Sequence, residues 1–96
     1  MSSTVVHVTA SDLRFTGSYE PIGDVLYLSS AEDDKRGFAR ETPEGHAVRL
    51  GPDGQITHVT LINARWLRDR DGELVATLRD GRQLRLLAPD LANLLG

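Results

Sequence analysis

The sequence contains no cysteine, and its 96 residues include only one tryptophan, two tyrosines and two phenylalanines. Without cysteine the chain has no disulfide framework, no thiolate nucleophile and no cysteine-ligated zinc site. The longest apolar run, residues 25–28, is far shorter than the roughly 20 residues that a membrane-spanning helix needs. The first residues also lack the basic segment of a signal peptide, so we expect a cytoplasmic protein without a membrane partner.

An excess of basic charge is missing as well, because 11 Lys and Arg against 14 Asp and Glu give a net charge of −3. Nucleic-acid binding normally draws its affinity from a basic surface, so the composition argues against it. Weak binding by the arginine-rich second half remains an alternative if folding gathers its arginines on one face. Acidic residues interleaved at 69, 71, 73 and 80 favour a surface of mixed charge instead. The arginines concerned are Arg49, Arg65, Arg68, Arg70, Arg79, Arg82 and Arg85.

The dominant pattern is a two-residue alternation of apolar and polar side chains. With 40% hydrophobic and 26% charged residues, the chain has the composition of one ordinary globular domain, residues 1–96. Residues 4–8 and 13–19 are typical of half-buried strands, and residues 37–41 of a short edge strand. Residues 25–28 are apolar at consecutive positions, which predicts a central strand covered on both faces. A Pro-Ile-Gly turn precedes them at residues 21–23.

A first hairpin is predicted around the Asp-Gly pair at residues 53–54. A two-residue loop would pair Val48 with Val59 and Arg49 with His58, leaving one apolar and one polar face. The same register pairs Ala47 with Thr60, Leu50 with Thr57 and His46 with Leu61. An odd loop would mix the two faces, so the two-residue loop is favoured.

In the second hairpin the same test favours a three-residue loop. Leu78 then pairs with Arg82, and the leucines at 74, 84 and 86 share one face with Ala76. Gly81 would take the left-handed conformation that such a loop requires.

Helix is scarce in the sequence. Asn63 could cap a short helix over residues 64–68 that ends at Gly72, although residues 64–70 could equally form a loop. Pro89 would open a second short helix with an apolar stripe of leucines. We therefore predict a mainly β fold, with little helix if classed as α+β. It would be a small antiparallel twisted sheet or meander of six to eight strands with one or two short helices.

Residues 19–28 read Tyr-Glu-Pro-Ile-Gly-Asp-Val-Leu-Tyr-Leu. This segment resembles the opening of the DUF2283 family, a domain of unknown function whose members typically read Tyr-Asp-Pro-x-x-Asp-x-Leu-Tyr-Ile there. The resemblance continues through a strand at 45–50, an Asp-Gly-x-Ile turn at 53–56 and a strand at 57–64. It covers roughly residues 15–66, while residues 73–96 add a hairpin and a short C-terminal helix. The resemblance implies a fold and no chemistry.

This chain also departs from the family pattern. Glu20 stands for the usual Asp, and Thr60 stands where a Glu is usual. Arg49 and Gly51 replace positions before the turn that are often acidic. If those acids served a shared reaction, this chain would have lost part of it.

Three residues are weak candidates for a ligand site: Asp24, Tyr27 and His46. The structural alternative has Asp24 closing the preceding turn through backbone N–H groups, and Tyr27 packing at the sheet margin. In the favoured register His46 and His58 project from opposite faces, so they could not share a metal ion. The pattern assigns no catalytic, metal-binding or cofactor-binding residue, and no cofactor.

The apolar C-terminal end predicts self-association. A homodimer could bury Trp66, Leu87, Leu91, Leu94 and Leu95, because a frayed terminus should not expose so many leucines. The function most consistent with the sequence is a non-enzymatic interaction or regulatory module, for example an accessory to a bacterial complex, with a protein partner or a second copy. The alternative is a small ligand-binding protein or enzyme with a pocket near Tyr27 and His46.

Overall fold

The computed structural model describes residues 2–9, 11–30 and 37–95. The first six strands are β1 (Ser2–Val8), β2 (Ser11–Glu20), β3 (Val25–Ser30), β4 (Phe38–Glu41), β5 (Ala47–Leu50) and β6 (Ile56–Ile62). Helix α1 (Ala64–Asp71) follows, then β7 (Glu73–Thr77), β8 (Gln83–Leu87) and helix α2 (Ala88–Leu95). The described part of the chain thus has eight strands and two short helices, as predicted.

All eight strands belong to one antiparallel sheet that curls into a half-barrel. The strand order is β4-β5-β6-β3-β2-β1-β8-β7. It departs from a simple meander at two places, because β3 pairs with β6 and β1 pairs with β8. Strands β4 and β7 are the two edges of the sheet. No helix among the described residues is long and apolar enough to span a membrane.

The core lies on one face of this curled sheet, where alternate residues of most strands are buried, although edge strand β4 is exposed throughout. Helix α2 packs across β1, β2 and β8 on that side. Gly17 lies beneath it, and a Cβ atom at this position would come within 2.4 Å of the Leu94 side chain. The largest fully buried side chains include Phe15, Leu26, Leu28, Leu61, Leu74, Leu84, Leu86 and Leu91.

The C-terminal leucines therefore lie inside a single chain and not on its surface. Leu91, Leu94 and Leu95 are buried at 0%, 9% and 2% exposure. This corrects their assignment to an interface, because their apolar surface is already covered by the sheet. Trp66 and Leu87 are exposed.

Strand β3 is central, but it is covered on one face only. Leu26 and Leu28 are buried, whereas Tyr27 is 47% exposed on the opposite face. The prediction that both faces are covered was wrong, because α2 packs on only one side of the sheet.

Both predicted hairpins form. Leu74 pairs with Leu86 and Ala76 with Leu84, and Gly81 has a left-handed φ of 92°, as predicted. In the first hairpin the predicted pairs Val48–Val59, Arg49–His58 and Ala47–Thr60 are confirmed.

The loop of the first hairpin differs from the prediction. Leu50 pairs with Ile56 and not with Thr57, because a bulge shifts the register. The Gly51 N–H bonds to the Gln55 carbonyl at 2.7 Å, and Gly54 has a left-handed φ of 84°. The connection is thus a three-residue loop with a bulge, which suits the left-handed glycine and still preserves the two faces of the strands.

The arginine-rich half forms a surface of mixed charge. Four of its seven arginines pair with acidic side chains in the described structure, at distances of 2.6 to 3.0 Å. The pairs are Arg68–Asp69, Arg70–Asp71, Arg82–Asp80 and Arg85–Glu73. This pairing leaves little of the concentrated positive field that nucleic-acid binding requires.

Candidate functional site

The curl of the sheet brings the turn between β4 and β5 close to the end of β7. Glu44, in that turn, accepts a hydrogen bond at Oε1 from the Thr77 N–H (2.9 Å) and at Oε2 from the Thr77 hydroxyl (2.5 Å). Edge strands carry unpaired backbone groups, and this carboxylate satisfies one of them. A single side chain therefore links two parts of the sheet that do not pair as strands.

Helix α1 follows β6 and packs against β7. Its N-cap residue, Asn63, has a left-handed φ of 54° and makes no side-chain cap. The cap comes from Asp24 instead, whose Oδ1 accepts the Arg65 N–H (2.7 Å) and whose Oδ2 accepts the Trp66 N–H (3.2 Å). The C-terminal end is at Gly72, as predicted, with φ 76°. The α1 segment is thus a helix and not a loop.

Asp24 belongs to a structural cluster. The Tyr19 hydroxyl donates to Asp24 Oδ1 at 2.7 Å, and the Arg65 guanidinium lies over the Tyr19 ring. Burial alone would raise the pKa of Asp24, but the hydrogen bonds from Arg65, Tyr19 and Trp66 lower it overall. The prediction that Asp24 closes the preceding turn was wrong, since Glu20 accepts the Gly23 N–H there.

A cleft of about 370 Å³ lies where α1, β7 and the adjoining ends of β5 and β6 meet. We call it the seam cleft, because it follows the line along which the two sides of the curled sheet approach each other. It is lined by Glu44, His46, Ile62, Asn63, Trp66, Leu67, Arg70, Asp71, Glu73 and Val75.

His46 is the buried polar residue of the seam cleft, with 1% exposure. Its Nδ1 accepts the Ile62 backbone N–H at 3.1 Å. Because a backbone N–H can only donate, Nδ1 carries no proton, and the neutral ring carries its proton on Nε2. Nε2 is buried and has no hydrogen-bond partner among the described residues. Burial lowers the pKa of His46, and the nearby charge of Glu44 opposes this only in part.

Several of the charged side chains around the cleft form ion pairs with neighbouring residues. The Arg70 guanidinium binds Asp71 at 2.8 Å and lies 4.7 Å from the centre of the Trp66 ring. Glu73 binds Arg85 at 2.6 Å. Within the described ranges, no three His, Asp or Glu side chains lie together where they could hold a metal ion.

Of the three candidates from the sequence, only His46 lines the seam cleft. Asp24 is committed to capping α1, and Tyr27 lies on the opposite face of the sheet, paired across strands with Thr60. A pocket shared by Tyr27 and His46 is therefore not formed. His58 lies beside Arg49 at the register predicted for it, on the face opposite His46.

Sequence reasoning missed Glu44, Thr77 and the capping role of Asp24. Glu44 and Thr77 are 33 residues apart, and no spacing or motif connects them. Trp66 was expected at an interface, and the structure places it on the wall of the cleft, 57% exposed.

A second hollow of about 380 Å³ lies near the other end of the strands, between Phe15, Ile56 and Arg82. Ser30 also lines this hollow.

Comparison of the chain with protein-family profiles, with curated proteins and with solved structures gives no match.

Proposed function

We propose that this chain is a non-enzymatic binding module and that its ligand occupies the seam cleft. The observation that carries the proposal is the His46 imidazole, whose buried Nε2–H has no acceptor among the described residues. A buried polar group without a partner costs about 1–3 kcal/mol of stability. A ligand that supplies an acceptor would recover that free energy on binding.

The tautomer of His46 favours recognition over catalysis. A general base must accept a proton from its substrate, but the basic nitrogen of this ring is occupied by the Ile62 N–H. Burial also disfavours the imidazolium that proton transfer would create. His46 is therefore suited to donate one fixed hydrogen bond.

We also propose that the resemblance to DUF2283 reflects kinship. In that case the family-like segment, residues 15–66, supplies His46 and Glu44, while the added segment, residues 73–96, supplies Glu73 and Val75. The cleft would then be built between the shared core and an addition particular to this chain. Such a binding module could serve as a regulatory accessory to a larger bacterial complex.

Trp66 provides a direct test, because it is the only tryptophan of the chain and lines the cleft. Its emission should change when a ligand binds nearby. The screen uses amino-acid amides, carboxylic acids, sugars and nucleosides, each at concentrations up to about 10 mM, where even a Kd of about 1 mM gives substantial occupancy. We expect at least one class to shift the emission saturably.

Two matched variants locate the response. His46→Asn keeps an oxygen that can accept the Ile62 N–H but has no donor at the position of Nε2, so it should abolish the shift. His58→Gln changes a histidine on the opposite face and should leave the shift intact. No saturable response from any class, or an equal response in His46→Asn, would disprove the proposal.

A further inference from the structure

The charges around the seam cleft do not cancel. Arg70 is paired with Asp71, and Glu73 is paired with Arg85, so these four groups contribute no net charge. Glu44 is different, because its carboxylate accepts hydrogen bonds from neutral groups, chiefly the N–H and hydroxyl of Thr77, and no cation among the described residues pairs with it. Among the residues that the structure describes, the cleft therefore carries one negative charge that no cation pairs with.

Glu44 is held in its ionised form. Burial would raise the pKa of Glu44, but the hydrogen bonds from Thr77, from its own backbone N–H and from Thr42 together lower it. These bonds stabilise the carboxylate without neutralising it. Glu44 is exposed, so a cation in the cleft would meet this charge at the rim that faces water, where ionic attraction is modest.

The other residues that line the cleft indicate what the uncharged part of the ligand must contain. Ile62, Leu67 and Val75 contribute apolar side chains, and the His46 side chain has a buried Nε2–H that lacks an acceptor oxygen. A matching molecule carries a positive charge, a carbonyl oxygen and an apolar portion.

We infer that the seam cleft binds a small organic cation, with its ammonium group facing Glu44 and its carbonyl oxygen accepting the Nε2–H of His46. This inference rests on the proposed function and names the class of ligand. An apolar amino-acid amide has all three features, and L-leucinamide is the probe.

The test compares three compounds through Trp66 emission at about pH 6.5, where an α-amino group of pKa about 7.7–8.0 is mostly protonated. L-leucinamide has both the ammonium and the carbonyl oxygen. N-acetyl-leucinamide lacks the charge, and isoamylamine lacks the carbonyl oxygen. We expect L-leucinamide to bind about threefold more tightly than N-acetyl-leucinamide and about tenfold more tightly than isoamylamine, the second ratio corresponding to about 1.4 kcal/mol.

Two variants test whether Glu44 provides the negative charge that binds the ammonium group. Glu44→Gln should weaken L-leucinamide binding about threefold and leave N-acetyl-leucinamide unchanged, the effect typical of one ion pair with an exposed carboxylate. Glu41→Gln removes an exposed carboxylate that does not line the cleft and should have no effect. The comparison of compounds on the unmodified chain remains decisive if Glu44→Gln is poorly folded.

Equal binding of the charged and acetylated amides would overturn the inference. If carboxylic acids or sugars shift the Trp66 emission and L-leucinamide does not, the inference fails while the proposed function stands. If no compound in either experiment produces a saturable shift, both fail.

Discussion

Asp24 shows how one side chain can order several parts of a small domain. Its carboxylate receives the Tyr19 hydroxyl from β2 and two backbone N–H groups from α1. Its own backbone is left-handed, with φ 56°, a conformation that aspartate and asparagine tolerate better than most residues. The short helix that forms one wall of the seam cleft therefore depends on a residue 41 positions before Arg65.

We expect Asp24→Ala to lower the free energy of unfolding by about 2–3 kcal/mol, because a lost N-cap costs about 0.5–2 and a left-handed alanine about 1–2. Asp24→Asn keeps an acceptor and tolerates the backbone angle, so its loss should be less than half as large. Urea denaturation of the two variants measures the difference. Equal losses would show that the cap and the backbone angle do not matter.

The lowered pKa of Asp24 predicts that the stability of the chain depends on pH in the acidic range. Its pKa is lowered in the folded state, so its contribution is complete above the unfolded value of about 3.9 and is lost as pH falls through the lower folded value. Urea midpoints between about pH 2 and pH 5 should fall less steeply in Asp24→Asn than in the unmodified chain. Parallel curves would contradict this.

The sequence predicted part of this residue-level structure. It offered a structural role for Asp24 beside a ligand-site role, and it predicted that His46 and His58 lie on opposite faces of the sheet, because alternation assigns a face to each strand residue. His46 itself lies just before β5 and not within a strand. It could not assign partners. The bonds of Asp24 to α1 and of Glu44 to Thr77 connect residues that only the tertiary fold brings together.

At the level of elements, the two helices are each eight residues long and need tertiary contacts to persist. Helix α2 obtains them through its three leucines, which lie against the sheet above Gly17. The sequence predicted this stripe correctly but misplaced its partner, since an apolar face indicates burial without indicating what covers it.

Leu91→Ala should destabilise the chain by about 2–5 kcal/mol, the cost typical of a cavity at a fully buried leucine. Ala92→Ser, at the exposed neighbouring position, should change stability by less than about 0.5 kcal/mol. Thermal and urea unfolding of both variants test whether α2 belongs to the cooperative core. A nearly neutral Leu91→Ala would mean that α2 is detached in solution.

The hairpins show where reasoning from pattern succeeds and where it fails. In the second hairpin, a single register both placed the leucines on one face and suited the left-handed Gly81, and the structure has that register. In the first hairpin, the apolar and polar faces of the strands required one register, and the geometry of the loop required another. The bulge between Arg49 and Leu50 accommodates both, and no periodicity test anticipates an inserted residue.

At the scale of the whole molecule, the sheet curls until its two sides are joined by the Glu44–Thr77 bonds, and the seam cleft forms along that line. The mainly β class and the strand count followed from the sequence. The cleft did not, because it depends on how far the sheet curls and on where α1 packs.

The homodimer expected from the sequence stays a prediction. The exposed apolar surface that could form its interface is smaller than the sequence suggested. Trp66 and Leu87 are exposed, whereas the three α2 leucines are buried within the chain. Sedimentation velocity at about 10 μM tests it, since a specific interface of about 800 Å² per partner normally holds at that concentration. The prediction requires a dimer that Leu87→Ser converts to a monomer, and a monomeric unmodified chain would contradict it.

The central claim is that the seam cleft presents a neutral His46 with a free Nε2–H donor. A long-range ¹H–¹⁵N correlation spectrum of the imidazole groups near pH 7 tests it most directly, because the nitrogen shifts distinguish the two neutral tautomers and the imidazolium. We predict a protonated Nε2 and an unprotonated Nδ1 for His46. A proton on Nδ1, or on both nitrogens, would contradict the account.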